Sequence, residues 1–263
     1  MECTVLASGS SGNCIYVSNG TSALIIDAGI AKRDIITKIT ESGGDPAIVE
    51  GILLTHEHTD HVRSANALAR ALDLPLIATG GTLAAFSSTR QQIKKPPPHI
   101  ACRYNTPLTV GAFNVTPFAV SHDAAEPCGY SIASGDLRLS IMTDTGIVTP
   151  RMMELLTESD GIVLESNHCP KMLAEGPYPE YLKKRIRGNK GHLSNIMAAE
   201  CLRELNGSVS TVILSHLSEV NNCPSVAFAS SQEALGLDMT YTDLRVASPG
   251  IDCSCLSRPI RIH

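Results

Sequence analysis

Three histidines and one aspartate occur within six residues, directly after an apolar run. The segment is LLTHEHTDH, residues 53–61, and its metal-binding types are His56, His58, Asp60 and His61. The apolar part predicts a strand end and the polar part a loop before a helix, so a rigid element would hold the converging side chains. Nitrogen and oxygen donors without thiolate favour zinc, manganese or iron. Four donors are more than one catalytic ion needs, which predicts two divalent ions rather than a solvated polar turn.

This HxHxDH string resembles the metallo-β-lactamase superfamily, and the other blocks of that family's pattern occur in order. They are LIIDAG with Asp27, AVSH with His122, IMTDTG with Asp144 and VILSH with His216. The resemblance implies that His56, His58, His122 and Asp144 bind one metal. It implies that Asp60, His61, His216 and the same Asp144 bind the other. Asp27 would orient the histidine loop; the plainer alternative is a strand-ending aspartate that starts a turn before Gly29.

Further segments resemble the YycJ/WalJ branch of the superfamily, and the match covers nearly the whole chain. They are SGSSGN at 8–13, ESNH at 165–168, the region 178–186 and GHLSN at 191–195. The resemblance implies an exonuclease that digests DNA from the 5′ end, using a hydroxide shared by two metals, with Asp60 and His192 as catalytic residues. The branch reads Asn-His-Asp where this chain has Asn167-His168-Cys169. His168 could therefore line the site or have a structural role.

The densest basic cluster of the chain lies just before His192. We predict that it positions the phosphates of the substrate, while His192 protonates the leaving oxygen; a solvated cationic helix face is the alternative. The 8–13 loop could bind a terminal phosphate, although a plain hairpin turn explains it equally well. The predicted substrate contacts are Ser10, Ser11, Asn13, Lys183, Lys184, Arg185, Arg187 and Asn195.

Three rival functions remain compatible with these residues. Two are enzymatic: a phosphodiesterase for small or cyclic nucleotides, and an RNA-processing nuclease. The third is a metal-binding regulator without catalysis, which would have no need for an open two-metal centre.

Short β-type runs alternate with helical patterns along the chain. The runs predict strands at 4–7, 15–17, 23–26, 52–55, 114–120, 129–133, 137–142, 161–164 and 211–214. Helices are predicted near 31–41, 60–72, 80–90, 150–157, 193–205 and 224–235. Hairpins appear more frequent early and βα units later, which favours an αββα sandwich of two sheets flanked by helices. Only 71 residues separate Asp144 from His216, so we expect residues 1–263 to form one domain without an inserted nucleic-acid-binding domain.

The composition limits the partners and the location. A net charge of −5 argues against nonspecific coating of nucleic acid, so binding of DNA, or less favourably RNA, needs a local basic track. Nine scattered cysteines predict reduced thiols in a cytosol, and the pair Cys253 and Cys255 is a weak signal for a metal site or a disulfide. No signal peptide or bilayer-spanning stretch is recognised. We expect a cytoplasmic protein that does not enter membranes, with its oligomeric state open and a homodimer among the options.

Overall fold

Two seven-stranded sheets face each other in the computed structural model, and helices cover their outer faces. The structure describes residues 1–88, 95–205, 207–236, 241–247 and 260–262, so Cys253 and Cys255 lie outside the described residues. The strands are β1 (Glu2–Ala7), β2 (Cys14–Ser18), β3 (Ala23–Ile26), β4 (Val49–Leu53), β5 (Leu76–Thr79), β6 (His99–Cys102), β7 (Leu108–Val110), β8 (Phe113–Ala119), β9 (Cys128–Ser134), β10 (Leu137–Met142), β11 (Gly161–Glu165), β12 (Thr211–Ser215), β13 (Asp243–Val246) and β14 (Ile260–Arg261). The helices are α1 (Lys32–Glu41), α2 (Thr59–Val62), α3 (Ala65–Leu72), α4 (Gly80–Ser88), α5 (Pro150–Thr157), α6 (Pro170–Glu175), α7 (Glu180–Ile186), α8 (Asn195–Leu205) and α9 (Pro224–Leu235).

Each sheet combines an antiparallel part with a parallel part. The order is β14-β1-β2-β3-β4-β5-β6 in one sheet and β13-β12-β11-β10-β9-β8-β7 in the other. In the first sheet, pairing is antiparallel from β14 to β3 and parallel from β3 to β6. In the second sheet, it is antiparallel from β7 to β10 and parallel from β10 to β13. Parallel neighbours need crossover helices, and α1 to α4 and α5 to α9 supply these. Hairpins therefore open both sheets, joining β1 to β3 and β7 to β10. All of their turns except the last lie in the first half of the chain, as predicted, whereas the parallel crossovers are divided equally between the two sheets rather than concentrated in the later half.

The strands β2, β3, β11 and β12 are buried along their whole length, because the centre of each sheet is covered on both sides. In β3, Leu24 and Ile26 face the core between the sheets, whereas Ile25 faces the helices. Ile35 and Ile39 of α1 cover the first sheet from outside, and residues of α5 and α8 cover the second. These layers confirm the predicted αββα sandwich.

The predicted helix at 60–72 is divided into α2 and α3. The break is held by the turn after β3: the Ala28 N–H donates to the His61 carbonyl, and the Ser64 N–H donates to the Ala28 carbonyl. The Ser64 hydroxyl also donates to the Ile30 carbonyl. These hydrogen bonds interrupt the helix and hold the histidine loop against the first sheet.

The short elements escaped prediction. They are β5, β6, β7, β13, β14, α6 and α7. In contrast, β3 and β10 have the predicted bounds, and α4 follows its prediction to Ser88, with residues 89–90 outside the described part. In the described part of the chain, every helix is too short or too polar to cross a membrane.

Candidate metal centre

Strand ends place the candidate ligands at one edge of the sandwich. Asp27 directly follows β3, His216 directly follows β12, and Asp144 comes two residues after β10. All three have left-handed backbone conformations, with φ of 62°, 57° and 55°. Such angles are strained for residues other than glycine and persist where the surroundings impose them, often at functional sites. Here the sharp turn ends each strand and directs its side chain toward the edge.

The seven predicted ligands lie together in the structure. The ligand atoms of His56, His58 and His122 lie within 4.8 Å of one another, and so do those of Asp60, His61 and His216.

Asp144 lies between these two groups. Its Oδ2 is 3.4 Å from His61 Nε2, and its Oδ1 is 3.4 Å from His216 Nε2 and 3.9 Å from His122 Nε2. A carboxylate in this position can be shared by two ions.

Hydrogen bonds fix the orientation of the histidine rings. His61 Nδ1 lies 2.7 Å from Asp27 Oδ2, and His122 Nδ1 lies 3.3 Å from the Gly191 carbonyl. Histidines that bind metals usually donate one ring N–H in this way, which leaves the other nitrogen for the ion. In both residues Nε2 remains directed toward Asp144.

The buried charges leave atoms that need a cation. Burial opposes ionisation of Asp144, but the nearby His216 and His61 hold its pKa well below the usual range. Burial also opposes the charged form of His61 and so acts to lower its pKa. The carboxylates of Asp144 and Asp27 outweigh this effect and raise the pKa of His61 to about 10. Asp144 Oδ2 and His216 Nε2 are buried without a hydrogen-bond partner. Unpaired buried polar atoms are costly, so these residues fit a divalent metal.

Glu165 is a site residue to which the sequence analysis gave no role. Its Oε1 accepts hydrogen bonds from His192 Nδ1 at 2.7 Å and His216 Nδ1 at 2.9 Å. Its Oε2 accepts from the Thr145 and Leu193 N–H groups. One feature of the sequence could have identified Glu165: it ends the apolar run GIVLE in the same way as Asp27 follows the apolar run LII.

His192 borders the same centre. Its Nδ1 is 3.6 Å from Asp144 Oδ1, and 20% of its side chain is exposed. Burial lowers its pKa, but the charge and hydrogen bond of Glu165 outweigh this and raise the pKa to about 9. Burial acts to raise the pKa of Glu165, yet the charge of His192 helps to lower it to about 2. The pair is therefore held as an imidazolium and a carboxylate.

Only part of the predicted basic cluster reaches this centre. Arg185 Nε donates to Asp123 Oδ2 at 2.6 Å, and Asp123 Oδ1 lies 3.4 Å from His122 Nε2. Lys184 is exposed, and Arg187 reaches back to Glu180.

Two other predicted substrate contacts point away from a substrate. Lys183 is buried and its Nζ donates to the Ala174 carbonyl, because α7 packs this side against α6. Asn195 is also buried, and its Oδ1 accepts from Ser166 and Asn222. Both are structural residues here, which corrects their assignment as substrate contacts.

The 8–13 loop contacts both His61 and His216. Asn13 Nδ2 lies 3.0 Å from His61 Nε2, and the His216 N–H donates to the Ser8 hydroxyl at 2.7 Å. Ser10 and Ser11 are exposed at the tip of the loop. His168 is buried, with an unpartnered Nδ1, whereas His99 is exposed on β6.

Gly29 packs so closely against the histidine loop that a larger residue should disturb the loop. A Cβ on this residue would lie 1.6 Å from the Asp60 carbonyl oxygen, so Gly29→Ala must displace the loop that carries Asp60 and His61. We expect a loss of about 1–3 kcal/mol in unfolding free energy and reduced metal content, measured by denaturant titration and elemental analysis. Gly80→Ala is the control, because the nearest atom to its Cβ would be 3.9 Å away. If Gly29→Ala kept the wild-type unfolding free energy and metal content, the close contact of Gly29 would not be what holds the histidine loop in place.

Comparison with known proteins places this fold and site in a family. The model of the Beta-lactamase superfamily domain matches residues 23–217. The exodeoxyribonuclease WalJ of Streptococcus pneumoniae is 35% identical over 227 residues, which cover 85% of this chain and 84% of that protein. The exodeoxyribonuclease YycJ of Bacillus anthracis is 36% identical over 233 residues, 88% of each chain. The chain therefore belongs to the metallo-β-lactamase superfamily, and its predicted resemblance to the YycJ/WalJ branch is confirmed.

A solved structure supports the fold independently. The metallo-beta-lactamase fold protein YhfI of Bacillus subtilis aligns with a TM-score of 0.73 at 16% identity, over 95% of this chain and 98% of that chain. At this identity the likeness concerns the fold alone.

Proposed function

We propose that this protein is a metal-dependent exodeoxyribonuclease that removes nucleotides from the 5′ end of DNA. The observation that carries the proposal is the position of Asp144, which is buried between the two groups: its Oδ1 lies 3.9 Å from His122 Nε2 of one group and 3.4 Å from His216 Nε2 of the other. The names of the relatives from Streptococcus pneumoniae and Bacillus anthracis support DNA as the substrate.

The donor set supports two divalent ions. His56, His58, His122 and Asp144 would hold one, and Asp60, His61, His216 and Asp144 the other. We propose zinc or manganese, with iron as a further option, because all donors are nitrogen or oxygen. When bound, such ions lower the pKa of water and neutralise charge on the non-bridging phosphate oxygens.

The residues around the ions would activate the attacking water and protonate the leaving oxygen. Asp60 lies 3.6 Å from His61 Nε2 with 28% of its side chain exposed, so it can orient the attacking water and accept its proton. As the bond from phosphorus to the 3′ oxygen breaks, His192 gives a proton to that oxygen. Glu165 holds Nδ1 of His192, which leaves Nε2 for this transfer.

Two surfaces beside the ions would position the strand. Arg185, next to Asp123 and His122, would contact a backbone phosphate once the substrate competes for its guanidinium. Ser10 and Ser11, at the tip of a loop whose Asn13 contacts His61, would bind the terminal 5′-phosphate. The two contacts together would select a strand end.

The same proposal covers organisation and location. Residues 1–263 would form one domain, because the segment from Asp144 to His216 is occupied by elements of the second sheet and its helices. The seven described cysteines are free thiols, which supports a reducing cytoplasm.

The test is a time course on internally labelled duplex DNA. We expect release of nucleotides from the 5′ end with added Mn²⁺, faster from 5′-phosphate than from 5′-hydroxyl ends. Release should stop after chelation and return when metal is restored. Intact DNA, together with turnover of bis(p-nitrophenyl) phosphate, would move the substrate to RNA or small diesters.

A further inference from the structure

The exposed face of α7 combines one aromatic and two cationic side chains. Lys183 faces inward, with its Nζ on the Ala174 carbonyl at 2.7 Å. Tyr181, Lys184 and Arg185 are spaced i, i+3 and i+4, so they share the opposite face. Tyr181 is 77% exposed. With so little of its side chain covered, the ring of Tyr181 contributes little to the packing of α7 against the described residues.

This face continues the rim of the candidate metal centre. Arg185 reaches Asp123, which lies beside His122. The loop after α7 is fixed to the same segment, since the Ser121 hydroxyl donates to the Asn189 carbonyl at 2.7 Å and His122 Nδ1 contacts the Gly191 carbonyl. Tyr181 lies four residues, about 6 Å of helical rise, from Arg185 and farther from the centre.

We propose that Tyr181, Lys184 and Arg185 form a stacking platform for an unpaired stretch of the substrate strand next to the scissile phosphodiester. This inference rests on the proposed nuclease function and deepens it. Lysine and arginine attract the phosphates, and an exposed aromatic ring stacks on a base of any sequence. In the proposed arrangement, a phosphate contacts Arg185 while a neighbouring base of the unpaired strand stacks on Tyr181.

The platform predicts a preference among DNA ends. A base inside a duplex is already stacked on both faces, so its face is closed to Tyr181. A single-stranded 5′ end offers free base faces. We therefore expect a lower KM for a 5′ single-stranded extension than for a blunt duplex, and this difference depends on Tyr181.

The test compares variants of the metal-loaded enzyme on oligonucleotides with a 5′ extension. Tyr181→Ala should raise the KM roughly 5- to 150-fold, the range for loss of one stacked base. Tyr181→Phe should keep the wild-type KM, because it keeps the ring. Tyr241→Ala is the matched control, since Tyr241 is 79% exposed before β13. Metal content and melting temperature establish that each variant is folded.

A second readout detects the stacking directly. The chain contains no tryptophan, so Tyr181→Trp carries a single tryptophan. Excited at a wavelength that tyrosine does not absorb, its emission should be quenched by a stacked base in stopped-flow mixing before cleavage. Tyr241→Trp should show no such quenching. Equal KM values for Tyr181→Ala and the wild type, or a Tyr181→Phe variant as impaired as Tyr181→Ala, would overturn the inference while leaving the nuclease proposal intact. Absence of DNA turnover by the wild-type enzyme would overturn both.

Discussion

Replacing Asp144 with Asn is expected to abolish most of the activity and most of the metal binding together. The side chain keeps its shape, but the centre loses a carboxylate that lies within 4 Å of all three of His61, His122 and His216. Residues that only orient a ligand already contribute about 10- to 100-fold to metal affinity. Loss of a shared ligand should therefore cost more than about 100-fold in affinity, and turnover should fall with it.

The experiment measures bound metal by elemental analysis and turnover of both DNA and bis(p-nitrophenyl) phosphate. Both substrates should be affected equally, because each needs the ions. Asp73→Asn is a matched control: Asp73 also has a left-handed backbone conformation, with φ of 55°, but is exposed after α3. An Asp144→Asn enzyme with full metal content and less than tenfold loss of turnover would contradict the central role of Asp144.

His192→Ala is expected to separate catalysis from metal binding. A positioned proton donor contributes about 10²- to 10⁴-fold to a rate, so kcat on DNA should fall by that range while metal content remains near the wild-type value. The reason is geometric: Glu165 still holds Nδ1 of His216 at 2.9 Å, so the ligand keeps its orientation. His99→Ala, at an exposed histidine on β6, is the control.

The choice of leaving group tests the role of His192 more sharply. The 3′ oxygen of a sugar needs a proton to leave, whereas p-nitrophenolate leaves without one. His192→Ala should therefore lose much more activity on DNA than on bis(p-nitrophenyl) phosphate. An equal loss on both substrates, or a parallel loss of metal, would remove His192 from the role of proton donor.

Glu165→Gln provides the comparison for that experiment. Glu165 holds His192 and His216 with the same oxygen, and an amide cannot accept both hydrogen bonds as strongly as a carboxylate. We expect this variant to lose metal affinity as well as turnover, by about 10- to 100-fold. The contrast with His192→Ala distinguishes a residue that holds a ligand from one that moves a proton.

Local sequence determined many of the longer strands and helices, and it determined the group of metal-binding side chains in the histidine loop. The runs ALII and LRLSIM predicted β3 and β10 at their observed bounds. A strand buried on both faces, such as β3, is apolar without interruption, whereas β10 was recognised from its Leu, Ile and Met residues. The string HEHTDH needed no long-range information, since its four donors are brought together by one strand end and one helical turn. Short elements such as α7 have too few residues for a periodic pattern, so α7 was seen in the sequence only as a basic cluster.

The tertiary structure decided which residues from distant parts of the chain meet. Asn13 is 48 positions from His61, and Ser8 is 208 positions from His216, yet both pairs are in contact. The assignment of Glu165 to both His192 and His216 likewise depends on how β11 and β12 align and on where the loop before α8 packs. Lys183 and Arg185 are both basic, and only the docking of α7 against α6 turns one inward and the other toward Asp123. Spacing along the chain records local turns, whereas these contacts follow from the packing of elements far apart in sequence.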